Sequence, residues 1–153
     1  MTTSHNRVEV LHGVNFDMLG TRNRLIYGDF TLTELEVRIK RFATELGLVT
    51  TFFQSNAEGE FVEHLHRLPE IADAAIVNAG AWTHYSYGIR DALELTGVPT
   101  VEVHLSDISR REEWRRRSVF DDLDLVFARV YGKGPDGYRE ALELIAAKLN
   151  EAE

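Results

Sequence analysis

Apolar and polar positions along the chain alternate between short continuous apolar runs and stretches with a three- and four-residue beat. Residues 7–12 (RVEVLH), 48–54 (LVTTFFQ), 73–79 (DAAIVNA), 99–105 (PTVEVHL) and 124–130 (DLVFARV) are brief, apolar and largely β-branched, as strands buried in a sheet are. Between the first two, Leu32, Leu35, Ile39, Phe42 and Leu46 share one helical face. Thr31 and Glu34 are spaced as a capping box at its start, and Gly47 fits its stop. A second helix is expected over EGEFVEHLHRL (58–68), with Phe61, Leu65 and Leu68 inward and Ser55 and Glu58 as its cap. Helices at 86–97 and 136–150 follow, and REEWRRR (111–117) suggests a shorter helix capped by Ser109 and Glu112.

Five strands alternating with helices imply a parallel sheet covered on both faces and linked by right-handed crossovers. The expected architecture is a flavodoxin-like doubly wound α/β sheet of order 2-1-3-4-5, one domain over residues 1–153. Such sheets bind ligands in the crevice at the carboxyl ends of their strands.

The side chains beyond those ends are polar. Asn15 follows the first strand and opens a long connection carrying Arg22, Arg24 and Tyr27. Gln54, Ser55 and Asn56 follow the second, Asn78 and His84 the third, and Glu102, His104 and Ser106 end the fourth. A rim of amides, hydroxyls, histidines and arginines suits acid–base work on an anion. The net charge of −8 disfavours nucleic acid and anionic membranes, but a local arginine cluster can still hold a small anion. No glycine loop of the nucleotide-binding kinds follows the first strand, and no carboxylate cluster marks the rim, so neither a cofactor nor a metal is expected. His64 and His66, two residues apart on a helix, point away from each other and are expected at the solvated surface. With no membrane-length apolar run and no apolar leader after the first residues, the expected location is the cytoplasm.

The connection after the first strand reads LHGVNFDMLGTRNRLIYG, and further blocks read QSNAEGE (54–60), NAGAWTHYS (78–86), IRDAL (89–93), EVHLSDISRREEWR (102–115) and GPDGY (134–138). In this order and spacing they resemble the type II 3-dehydroquinate dehydratases along nearly the whole chain. The resemblance implies a hydro-lyase that converts 3-dehydroquinate to 3-dehydroshikimate through an enolate, a step shared by shikimate biosynthesis and quinate breakdown. It also implies a homotrimer that assembles into a dodecamer, and it makes residues 15–30 an active-site lid. By position, Tyr27 matches the base, Arg22 its neighbour, His104 the general acid and Asn15 the holder of a water at the enolate oxygen. Asn78, His84 and Arg115 match substrate-binding groups, Leu105 and Ser106 a carboxylate cradle, and Asp91 a residue reaching in from a neighbouring subunit. Glu102 and Arg111 match supporting residues behind the site. A free tyrosine ionises near pH ~10, so a base of this kind needs a cation beside it.

The chain departs from the family pattern at His12, Val14, Asp17, Ala79, Trp82, Asp107 and Ser109, and its fifth strand is more charged than the small apolar strand usual there. Asp107 either faces the carboxylate cradle as a repelling anion or turns away to cap the following segment. These departures leave a second reading open, a non-catalytic paralogue that binds a related cyclitol acid.

Overall fold

The computed structural model describes residues 5–151. Strand β1 (Arg7–His12) lies inside a five-stranded sheet with β2 (Val49–Gln54), an edge strand, on one side and β3 (Ala74–Asn78), the central strand, on the other. Strands β4 (Thr100–His104) and β5 (Val126–Tyr131) complete the order 2-1-3-4-5, every pair parallel. His12, Gln54 and Asn78 are register neighbours, so three strands end at one level and deliver their next residues to one rim. Glu102 is paired with Arg129 across β4 and β5, placing the two side chains on the same face of the sheet.

Helices α2 (Leu32–Glu45) and α5 (Asp136–Glu151) cover one face, where Leu35, Ile39, Tyr138, Leu142 and Ile145 pack on Val8, Val10, Val101 and Val103. Helices α3 (Glu58–Ile71) and α4 (Tyr87–Thr96) cover the other, packing Phe61, Leu65, Leu68, Ile89 and Leu93 on Leu11, Ala75 and Val77. The alternation of a period-two strand between two apolar helix faces explains why the strand bodies contain so few polar residues. The capping box at Thr31 and Glu34 is made in full, and Gly47 follows α2 with a positive φ of 75°.

Several local expectations are corrected. The residue flanking α3 is Ala57, with no side-chain cap; the Ser55 hydroxyl turns instead to the Ala57 backbone. The 110–117 segment forms two three-residue turns, Ile108–Arg110 and Glu113–Arg115, and the first is capped by Asp107 rather than Ser109. Its arginines are drawn away from a continuous helix by separate partners, Arg111 towards the strand ends and Arg115 towards Glu112. His66 is exposed, but His64 is not a solvated surface residue. Its ring stacks on Phe53 with centroids 3.7 Å apart and hydrogen-bonds the buried Glu9 carboxylate, which also accepts from Thr51. A carboxylate pointing into the sheet needs such a partner, and the helical spacing alone did not reveal it. The long connection after β1 contains a turn at Phe16–Met18 and one helical turn, α1 (Arg24–Tyr27), started by the Asn23 side chain.

Candidate active site

The cleft over the strand ends is lined by Asn15, Arg22 and Tyr27 from the long connection after β1, by Asn78 and His84 after β3, and by His104, Leu105, Ser106, Arg111 and Arg115 after β4. Two close backbone approaches shape it. A Cβ on Gly13 would lie 2.2 Å from the Ala79 carbonyl oxygen, and one on Gly80 2.8 Å from the Val14 oxygen, so the ends of β1 and β3 meet through glycine. Asn15 takes a left-handed conformation, φ 71°, which asparagine tolerates better than most residues. Its backbone N–H donates to Asn56 Oδ1 at 2.8 Å, tying the start of the long connection to the end of β2.

Tyr27 carries the densest electrostatics. Its hydroxyl accepts from Arg22 Nη2 at 2.9 Å and from Arg111 Nη2 at 3.1 Å, while the Arg22 guanidinium also lies 3.8 Å from the ring centroid. Two cationic donors aimed at one phenol oxygen complement a phenolate better than a neutral phenol. Arg111 also donates from Nη1 to Ser106 Oγ at 3.1 Å, and its buried Nε has no hydrogen bond among the described residues. Sequence reasoning placed Arg111 behind the site; the structure puts it in the cleft wall and on Tyr27. Within RRxxxRRR nothing distinguishes the arginine that turns inward, because no helical face is formed there to separate them.

His104 is buried at the end of β4, its Nε2 2.6 Å from Glu102 Oε2. That contact fixes the ring and leaves Nδ1 as the nitrogen available to the cleft. Burial pushes the Glu102 carboxyl up, but the hydrogen bond and charge of His104, then the charge of Arg129, outweigh it and hold the carboxyl below its usual range. His84 lies nearby, its ring centroid 6.3 Å from that of His104 and 5.4 Å from the edge-on Trp114 ring. Its Nδ1–H donates to the Arg117 carbonyl at 2.7 Å, leaving Nε2 for the cleft. Burial lowers the His84 pKa, and the charges of His104 and Arg115 act in the same direction against the Arg117 carbonyl and Glu102. A neutral imidazole with one committed nitrogen is a fixed hydrogen-bonding group rather than a cation.

Beneath the cleft, Asn78 Nδ2 donates to the Tyr138 hydroxyl at 3.3 Å, and that hydroxyl lies 2.8 Å from His12 Nε2. The Tyr138 hydroxyl thus links Asn78 to His12. Burial pushes the His12 imidazole down to about 3, which keeps it neutral. Asn78 Oδ1 meanwhile accepts from the Gly80 N–H at 3.4 Å, so its amide has a defined orientation towards the cleft.

The other departures from the family pattern are absorbed locally. Asp17 accepts from Asn56, Trp82 is buried edge-on against Phe61, and Asp107 accepts from the Ser109 N–H at 3.1 Å and from its hydroxyl. Asp107 therefore takes the capping role and contributes nothing to the cleft lining. Two candidate residues do not line the cleft: Glu102 is buried behind His104, and Asp91 stands exposed on α4, between Tyr87 and Leu95 on the same helical face.

Comparison with known proteins places this arrangement. A family model described as dehydroquinase class II matches residues 6–146. The 3-dehydroquinate dehydratase of Pelotomaculum thermopropionicum is 45% identical over 141 residues, covering 92% of this chain and 96% of the relative. That of Thermotoga maritima is 47% identical over 145 residues, covering 95% and 98%. The crystal structure of a type II dehydroquinase from Butyrivibrio crossotus superposes with a TM-score of 0.88 at 33% identity, covering 97% of this chain and 99% of that one. The chain belongs to the dehydroquinase class II family.

Proposed function

We propose that this protein eliminates water from 3-dehydroquinate to give 3-dehydroshikimate, with Tyr27 as base and His104 as acid. The observation that carries the reading is the Tyr27 oxygen held between Arg22 and Arg111 in the cleft that also holds His104. Tyr27, as phenolate, takes the proton from C2, and the electrons move into the adjacent carbonyl to form an enolate. Asn15, at the mouth of the lid, holds a water against the enolate oxygen. The enolate then re-forms its carbonyl, the C1–oxygen bond breaks, and the His104 proton converts the departing hydroxyl to water. The base proton is returned to solvent or to His104, so substrate becomes product plus one water.

Asn78, His84 and Arg115 bind the substrate hydroxyls. The backbone after Leu105 and the Ser106 hydroxyl hold the carboxylate, with Arg111 joining the cradle to the base. Residues 15–30 act as a lid whose closure excludes water and strengthens every charge interaction within. The side chains do not favour a non-catalytic binder, since groups suited to both proton transfers are present and oriented. Asp91 serves the site of a neighbouring subunit in a trimer, the exposed Tyr87–Asp91–Leu95 face of α4 supplying the contact, and trimers assemble further into a dodecamer.

The test is turnover of 3-dehydroquinate by purified protein, followed as the rising ultraviolet absorbance of the conjugated enone. Activity should survive borohydride added with substrate, because Lys40, Lys133 and Lys148 all lie outside the cleft. Substrate-dependent inactivation by borohydride would reveal an imine and overturn the phenolate mechanism.

A further inference from the structure

The charged fifth strand is not explained by the substrate cleft, since no β5 residue lines it. Its Arg129 nevertheless reaches the proton-transfer machinery from behind. Arg129 Nε donates to Glu102 Oε1 at 3.2 Å, while Glu102 Oε2 faces His104 at 2.6 Å, so one buried carboxylate bridges an arginine and the acid. The other end of the guanidinium hydrogen-bonds the exposed Asp121 carboxylate. Asp121 is itself braced, because Arg90 of α4 donates to the carbonyls of Val119 and Asp121. The Glu102 side chain is 1% exposed and that of Arg129 30%, so this row of groups runs from the acid to solvent on the side of the sheet edge.

We propose that Arg129 is a positioning residue of the reaction, keeping Glu102 ionised and oriented as the acceptor of the His104 Nε2 proton. The inference rests on His104 being the general acid. A carboxylate buried beside a single histidine has a competing arrangement, in which the carboxyl takes the proton and donates it back to an unprotonated ring nitrogen. That arrangement would leave His104 as a neutral Nδ1–H imidazole, a far weaker acid than the imidazolium it replaces. A permanent cation on the far oxygen disfavours it. The remaining neighbours do not substitute for that cation. Ser118 is an uncharged hydroxyl, Val77 of β3 and Phe120 are apolar, Asp122 is itself an anion, and burial disfavours the charged form of His84. Arg115 faces the cleft and pairs with Glu112.

The variants Arg129→Met, Arg129→Lys and Asp121→Asn test the proposal. Removing the cation raises the affinity of the His104–Glu102 pair for its proton and makes it a weaker donor. Arg129→Met should therefore lower kcat on 3-dehydroquinate about tenfold with KM within about twofold, taking the lower part of the range for general acid–base catalysis. The limb of kcat that falls at high pH should move to higher pH. Arg129→Lys should restore most of the activity and the original profile. Asp121→Asn, which leaves the guanidinium wholly to Glu102, should move that limb the other way, and this arm stands even if Arg129→Met does not fold. A Met variant with reduced thermal stability but wild-type kcat and pH profile would assign Arg129 to strand packing alone and overturn the proposal. The His104 ring titration, followed by NMR in wild type and Arg129→Met, separates the two readings. A displaced titration supports the proposal even in a protein that turns over no 3-dehydroquinate, and an unmoved one overturns it.

Discussion

Arg111 Nη2 lies 3.1 Å from the Tyr27 hydroxyl although 84 residues separate them, joining the connection after β1 to the segment after β4. The contact makes the phenol oxygen a meeting point of two guanidiniums, one from its own connection and one from the far side of the cleft. Arg111→Ala should lower kcat by about 10²-fold, as loss of one aimed charge donor does. Arg111→Lys should recover little, because a point charge cannot span Tyr27 and Ser106 as the guanidinium fork does. Steady-state kinetics decide the matter, and an Ala variant with wild-type kcat would remove Arg111 from the site.

Tyr27→Phe and His104→Ala should each reduce kcat by about 10²–10⁴-fold, the usual worth of a positioned base or acid. Tyr27 sits half-buried on a four-residue helical turn, so its loss should leave the melting temperature nearly unchanged. Full activity in either variant would assign that proton transfer to another group.

Asp107 caps the Ile108–Arg110 turn through Ser109. Asp107→Asn keeps an acceptor at the same place and should change neither KM nor thermal stability appreciably. Asp107→Ala should cost about 1 kcal/mol, a typical capping loss, with KM again unchanged. A clear fall in KM on Asp107→Asn would instead mean that the carboxylate repels the substrate.

These cases show what the sequence makes legible. The sheet order follows from five apolar runs alternating with amphipathic helices, because burial on both faces leaves a strong and regular mark. The capping box at Thr31 is equally legible, since its two partners are three residues apart. Asn15, Asn78, His84, His104, Leu105 and Ser106 follow strand ends in contiguous blocks, so their gathering in one cleft was readable. The partnerships that cross the sheet were not. His64 with Glu9, Tyr138 with Asn78, and Arg129 with Glu102 each join residues 27 or more positions apart, and no periodicity encodes which polar side chain turns inward to meet another.

His12 should make the protein acid-sensitive. The unfolded imidazole takes up a proton near its ordinary value of 6.5, whereas burial holds the folded one down to about 3. Through that window the unfolded chain binds a proton that the native state excludes, so stability is full above about pH 6.5 and falls as pH drops towards 3. The difference corresponds to as much as roughly 5 kcal/mol at the acid end. Urea unfolding at several pH values should show this slope, and His12→Asn should flatten it. An unchanged slope would place the acid sensitivity elsewhere.

Asp91 predicts that activity depends on assembly. Sedimentation should reveal at least a trimer, and dilution to monomer should abolish turnover. Asp91→Ala should lower activity while the isolated fold stays intact, because the side chain is solvent-exposed within one chain. A fully active monomer would contradict the shared site.

The hydrogen bonds from His12 and Asn78 to Tyr138 tie the first and third strands to the first turns of the last helix, across 126 and 60 residues of chain. Closing spans of that length is entropically late work for a refolding polypeptide. The orientation of Asn78 is thus completed only when the carboxyl-terminal helix docks. Completion of the cleft floor is among the final events of folding, and a chain still emerging from synthesis carries Tyr27 and His104 long before the cleft between them is complete.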